Sequence, residues 1–198
     1  TQPRLLLVYA ITALGYGGTF TAFTFLAPIL ENVSGFDSSS ISLIMLVYGV
    51  SVAVGNIWGG KMADKMGPIK ALTVIFSGLA AVLVVFNFTA VNPYAAVATI
   101  LVWGAFAFGN VPGLQVYVVK LAEKYTPDAV DVASGLNIAA FNVGIALGSW
   151  GGGLIVAKSG LMNTPWVGAV IVLIALVLTR FSGALDKKQA QQAVPSSI

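Results

Sequence analysis

The chain has 198 residues, 58% of them hydrophobic and 9% charged, with a net charge of +3. A soluble domain carries about 25% charged residues, so this chain lacks the charge to coat its own surface in water, a need that lipid removes. Without cysteine or histidine it has no disulfide framework, thiol nucleophile, Cys/His zinc site or imidazole base, and its seven acidic residues lie too scattered for a carboxylate metal site.

Long apolar stretches should each cover a hydrocarbon core of roughly 20 helical residues. In chain order the expected spans are residues 5–30, 40–58, 69–88, 94–119, 132–157 and 165–181. The first is closed by Glu31-Asn32, and Asn92-Pro93 opens the fourth. The stretches are continuously apolar, without the alternation of barrel strands, so the expected class is all-α integral membrane. Residues 1–182 form one six-helix bundle and residues 183–198 a polar tail that frays. The opening Thr1-Gln2-Pro3-Arg4 has neither an initiator Met nor a signal-peptide pattern, so a processed or excised fragment is expected.

Six spans put both termini on one side. Loops of that side carry Arg4, Lys61, Lys65, Lys70, Lys120, Lys124, Arg180, Lys187 and Lys188, and the other side carries Lys158. The positive-inside rule therefore places both termini in the cytoplasm. Nothing forms a basic stripe with interleaved aromatics, so no nucleic acid is expected as a partner. No convergent set of acids, bases or nucleophiles is present either, so an enzyme is not expected.

The loop between the second and third spans reads Gly59-Gly60-Lys61-Met62-Ala63-Asp64-Lys65-Met66-Gly67-Pro68-Ile69-Lys70. Gly60 is expected to let a neighbouring backbone approach, Gly67 to permit a tight turn, and Pro68 to suit the first turn of the next helix. Asp64 either meets the positive end of another helix or caps a helix locally. Lys65 either shares that role or only serves the positive-inside rule. This loop resembles the G-x-L-A-D-R-x-G-R-K signature of the major facilitator superfamily. Gly60, Ala63, Asp64 and Gly67 match in place, Lys65 stands for Arg and Met62 for Leu. Pro68-Ile69 departs from the usual basic pair, with Lys70 one position later. The resemblance implies one six-helix half-bundle of that fold, the carboxy-terminal one, whose loop (Gly60, Asp64, Lys65, Gly67, Lys70) acts as a conformational switch against the amino-terminal half. It also implies a multi-pass location in the cell membrane, in bacteria the inner one, with membrane lipid around it.

The fifth span carries Gly144, Gly148 and Gly152, resembling the glycine-rich motif of the superfamily's proton antiporters, although close helix packing alone explains them. In the superfamily the first and fourth helices of each half, helped by the second and fifth, line a central cavity. Tyr16, Thr19 and Thr24 in the first span, Asn110 and Gln115 in the fourth, and Asn137 and Asn142 in the fifth are the cavity candidates here. Amides at membrane depth are costly unless they meet another helix or water. Asn110-Val111-Pro112-Gly113 either loosens the fourth helix as a hinge or merely kinks it. No acid lies in mid-span: Glu31 and Asp37 sit at outer ends, Asp128 and Asp131 at the inner end of the fifth helix. A proton-coupling carboxylate is therefore expected in the other half. The implied activity is half of a secondary transporter exporting a small organic molecule, a drug or sugar, by proton-coupled alternating access. The alternatives are a self-associating membrane module, a half-size homodimeric transporter, or a fragment without transport of its own.

Overall fold

A computed structural model describes residues 2–192. Among them the helices are α1 (Pro3–Phe23), α2 (Leu26–Asn32), α3 (Ser38–Met66), α4 (Pro68–Thr89), α5 (Pro93–Tyr125), α6 (Val130–Ser159) and α7 (Asn163–Gln192), with a 3-10 turn at Pro127–Ala129. Six spans are long and apolar enough to cross a membrane, α1 and α2 together forming the first.

Local chemistry sets the breaks. Pro28 has no N–H to return to the carbonyl of Thr24, one turn back, so the first span is interrupted at Thr24–Phe25 rather than running continuously over residues 5–30. Asp37 caps α3, accepting from the Ser40 amide at 3.4 Å and from the Ser39 hydroxyl. The Ser39 and Ser40 side-chain hydrogen bonds hold its carboxyl down to about 2. Gly67 joins α3 to α4 with φ +82°, a left-handed turn that a side chain would strain, and Pro68 opens α4. Asn92 caps α5 by accepting from the Ala95 amide at 3.1 Å.

Several helices outlast the apolar stretches that mark them. α3 continues through the charged turn to Met66, and α7 to Gln192. Residues 183–192, expected in a fraying tail, are therefore helical; residues 193–198 lie outside the described residues. Asp186, Tyr125 and Lys124 supply the reason, since they tie this extension to the bundle. Asp186 pairs with Arg4, while the Tyr125 hydroxyl and Lys124 both donate to Gln189 Oε1.

The packing is pairwise symmetrical. α1 lies on α6 and α7, α5 lies on α3 and α4, and α4 meets α7. Exchanging spans one to three with four to six maps this pattern onto itself, as expected of two three-helix repeats. α1 and α5 form the centre and α3 and α6 flank it. Only 11% and 17% of the most apolar stretches of α3 and α6 are buried, against 61% in the first span. Glycines set the flanking distances. A Cβ on Gly55 or Gly59 of α3 would lie 2.1 Å from Ala105 O or 1.9 Å from Gly109 O of α5. On α6, a Cβ at Gly144, Gly148 or Gly152 would lie 2.3, 2.3 or 2.6 Å from the carbonyl oxygens of Ala13, Gly17 and Thr21 in α1. Only glycine lets these backbones meet so closely.

Candidate functional site: a pocket on an open face

Between α3 and α6, over the central helices, lies a cavity of about 270 Å³. α1 contributes Thr12 and Tyr16, α3 contributes Asn56, α5 contributes Phe108 and Gln115, and α6 contributes Asn137 and Phe141. No ionisable acid or base lines it. The Thr12 hydroxyl donates to Asn137 Oδ1 at 2.7 Å, Asn137 Nδ2 donates to Gln115 Oε1 at 3.2 Å, and Gln115 Nε2 donates to Ser134. One chain of hydrogen bonds thus crosses α1, α6 and α5 at membrane depth, where an unpaired amide would be costly.

Tyr16 is 1% exposed and its hydroxyl has no protein partner. Its ring meets Phe141 edge-on at 3.9 Å between centroids, and Phe108 at 6.1 Å. The pocket therefore offers spare amide N–H groups and aromatic walls, while the unpaired Tyr16 hydroxyl is itself buried. Such a set can hold an uncharged molecule with acceptor oxygens and an apolar face.

The structure gathers Tyr16, Gln115 and Asn137 here but not the other cavity candidates. Thr19 is buried and donates to its own helix at Gly15 O, 2.9 Å away. Thr24 meets Ser149 of α6 at 2.8 Å, outside the pocket. Asn110 is fully buried inside the bundle, donating to Ala107 O at 3.2 Å. Asn142 is exposed on α6 and donates to Ile138 O at 2.9 Å, so it faces outward rather than into this bundle. Asn56 was missed, although an amide inside an otherwise apolar span was the signal that could have found it. Pro112 lies inside α5, which runs past it as one helix.

At the basic end of the bundle, Asp64 and Lys65 stand exposed in the last turn of α3 and Lys70 in the first turns of α4. Asp64 caps no helix: Gly67 occupies the N-cap of α4, and a carboxylate in a last turn opposes the helix dipole. Gly60 is not the close-approach glycine. A Cβ there would meet Pro112 at 3.7 Å, ordinary contact, while the crowding falls on Gly59. Gly59, not Gly60, is the glycine that meets the α5 backbone.

The same end holds a buried charge cluster that sequence reasoning also missed. Arg4 is 8% exposed and pairs with Asp186. Its Nη2 also donates to the Tyr117 hydroxyl at 3.2 Å and to Ser182 O at 3.1 Å. Tyr117 donates to Asp186 Oδ2 at 2.8 Å, and the Ser182 hydroxyl lies 2.6 Å from the Tyr117 oxygen.

A sequence profile described as the Major Facilitator Superfamily matches residues 1–126. The chain is 52% identical over 193 residues to the uncharacterized MFS-type transporter YtbD of Bacillus subtilis (strain 168), covering 98% of this chain and 48% of that protein. It is 32% identical over 184 residues to the inner membrane transport protein YdhP of Escherichia coli (strain K12), covering 91% and 46%. It is 29% identical over 177 residues to a probable sugar efflux transporter of Haemophilus influenzae (strain PittGG), covering 89% and 43%. The crystal structure of an auto-inhibited POT-family peptide transporter shares the fold with a TM-score of 0.77 at 13% identity, over 92% of this chain and 37% of that one. The chain thus spans about half the length of the curated relatives it matches. With its six apolar spans and these bacterial relatives, it is a multi-pass protein of the cell membrane that belongs to the Major Facilitator Superfamily.

Proposed function

We propose that this chain is the carboxy-terminal half of a secondary transporter that exports a small uncharged organic molecule, a sugar or a drug, by proton-coupled alternating access. The observation that carries this reading is the pocket: hydrogen-bonding groups on four helices converge on it, and it lies on the open face between α3 and α6. A half-length chain with an open face fits a second, amino-terminal half that completes the cavity. Exposed residues at helical spacing, among them Leu46, Val50, Val54 and Ile57 on α3 and Val143, Leu147, Trp150 and Leu154 on α6, supply the apolar rails for that docking. The name of the Haemophilus relative supports export of a sugar. Clustering of the Lys and Arg residues at one end of the bundle supports cytoplasmic termini. The described acids lie toward the ends of the helices or beyond, so the proton-carrying carboxylate is assigned to the other half.

The test is uptake into inverted vesicles containing the intact protein, energised by a proton gradient, across a panel of sugars and uncharged aromatic drugs. At least one neutral compound should accumulate and be released by a protonophore; accumulation indifferent to the protonophore would contradict proton coupling. Asn137→Ala, which breaks the chain from Thr12 to Gln115, should raise KM about tenfold. Val177→Ala, on the α4–α7 face away from the pocket, should leave KM unchanged. Equal effects of the two substitutions would remove the pocket from the substrate path.

The signature loop is assigned the switching role. Asp64 gains nothing from its own helix, which supports a partner in the other half, such as a helix amino terminus. Asp64→Asn should reduce transport about tenfold while membrane insertion and thermal stability hold, because the charge it removes opposes the α3 dipole. Unchanged transport kinetics would remove Asp64 from the switch. If two copies of this chain instead closed the cavity upon themselves, cross-linking would give a dimer of it in membranes lacking any other half.

A further inference from the structure

We infer that the basic end of the α4–α7 face carries a binding site for the phosphate headgroup of an anionic phospholipid. A groove of about 410 Å³ opens there between the start of α4, the end of α5 and the end of α7. Lys70, Lys120, Lys124 and Lys187 line it, over a floor that includes Ile69 and Leu121. Its one acid, Asp186, is already engaged by Arg4 and by Tyr117, so it does little to offset four ammonium groups. Lys124 is held in place, donating to Gln189 at 3.2 Å with its ammonium 5.2 Å from the Tyr125 ring centre.

The surface leading into this groove decides between a lipid and a free anion. On α4 the exposed residues Val74, Ala81, Val85 and Phe88 recur at helical spacing above Lys70. On the adjoining α7, Trp166, Val170, Leu173, Ile174, Val177 and Phe181 form a second exposed stripe, with Lys187 at its edge one to two turns further on. At the far end Phe88 and Trp166 stack edge-to-face at 5.9 Å between centroids. An aromatic pair at one level, an apolar wall, and a basic groove at the other level match the profile of a bilayer leaflet and its two interfaces. An acyl chain lying along this wall brings its phosphate to the lysines, whose flexible stems reach a headgroup from the membrane edge. The open α3–α6 face differs, because it exposes the amides Asn56 and Asn142.

Native mass spectrometry of the intact protein in mild detergent tests the site, with phosphatidylglycerol and phosphatidylcholine of matched chains as probes. Phosphatidylglycerol should be retained at least about tenfold more tightly than phosphatidylcholine, and the combined Lys70→Gln, Lys120→Gln, Lys124→Gln and Lys187→Gln variant should lose that preference. The corresponding four-fold Lys→Arg variant should keep it, which separates lost charge from lost fold. Lys61→Gln with Lys188→Gln, at the same end but outside the groove, should also keep it. Equal retention of the two lipids would overturn the site. So would an equal loss in the Lys61/Lys188 control, which would mean diffuse surface attraction. Displacement of phosphatidylglycerol by millimolar inorganic phosphate would show a free-anion site instead, and would overturn the assignment to lipid.

Discussion

Asp186→Ala should lower the stability of the intact protein by about 3 kcal/mol. The substitution strands the Arg4 guanidinium, 8% exposed, in the packed end of the bundle. Two of its nitrogens, Nε and Nη1, already lack a partner, so the pair with Asp186 carries most of the compensation for that charge. Breaking a buried pair costs roughly 3–5 kcal/mol, and because the Asp186 side chain is 34% exposed, water reaches it and the lower end applies. Replacing both partners, Arg4→Met with Asp186→Leu, should restore most of the loss, since no lone charge then remains. Tyr117→Phe should cost about 1 kcal/mol, one hydrogen-bonding hydroxyl. Thermal unfolding in mild detergent, followed across this cycle, measures each step. A cost for Asp186→Ala no greater than that of an exposed ion pair, below about 1 kcal/mol, would mean that Arg4 reaches water.

The second large effect separates two adjacent glycines. Gly59→Ala should destabilise by about 3 kcal/mol or more, because its Cβ would lie 1.9 Å from the Gly109 carbonyl oxygen, and a backbone atom cannot rotate away. Gly60→Ala meets only Pro112, at 3.7 Å, and should be neutral or gain up to about 1 kcal/mol from improved helix propensity. The readout is again the melting temperature. Equal effects at the two positions would mean that α3 and α5 do not pack through Gly59.

The six spans were legible because hydropathy reports the thickness of the bilayer. It does not report helix length, so α3 and α7 outrun their apolar stretches once capping and long-range ties hold them. The interruption at Thr24–Phe25 was written in Pro28, yet continuous hydropathy hid it. In the pocket, residue type was legible and direction was not. A helix that is apolar all round has no hydrophobic face to fix which way Tyr16, Thr19 or Asn142 turns. Tyr16, Gln115 and Asn137 converge because α1, α5 and α6 pack as they do; Thr19 satisfies itself on its own helix, and Asn142 faces out. The Arg4–Asp186 pair joins residues at opposite ends of the chain, and only the packing of α1 against α7 brings them together. Likewise the loop motif was legible as a motif, but the helical register moved its close-packed glycine from Gly60 to Gly59.

The central claim is that the face between α3 and α6 lines a water-filled substrate path in the assembled transporter, while the α4–α7 face meets lipid. This chain contains no cysteine, so single thiols can be introduced into it without background from its own residues. The direct measurement compares labelling of Asn56→Cys and Val177→Cys in the intact protein in membranes, using a charged, membrane-impermeant maleimide. The account predicts that Asn56→Cys reacts, that a transported compound protects it, and that Val177→Cys stays unlabelled. An unreactive Asn56→Cys, or a Val177→Cys labelled equally well, would contradict it.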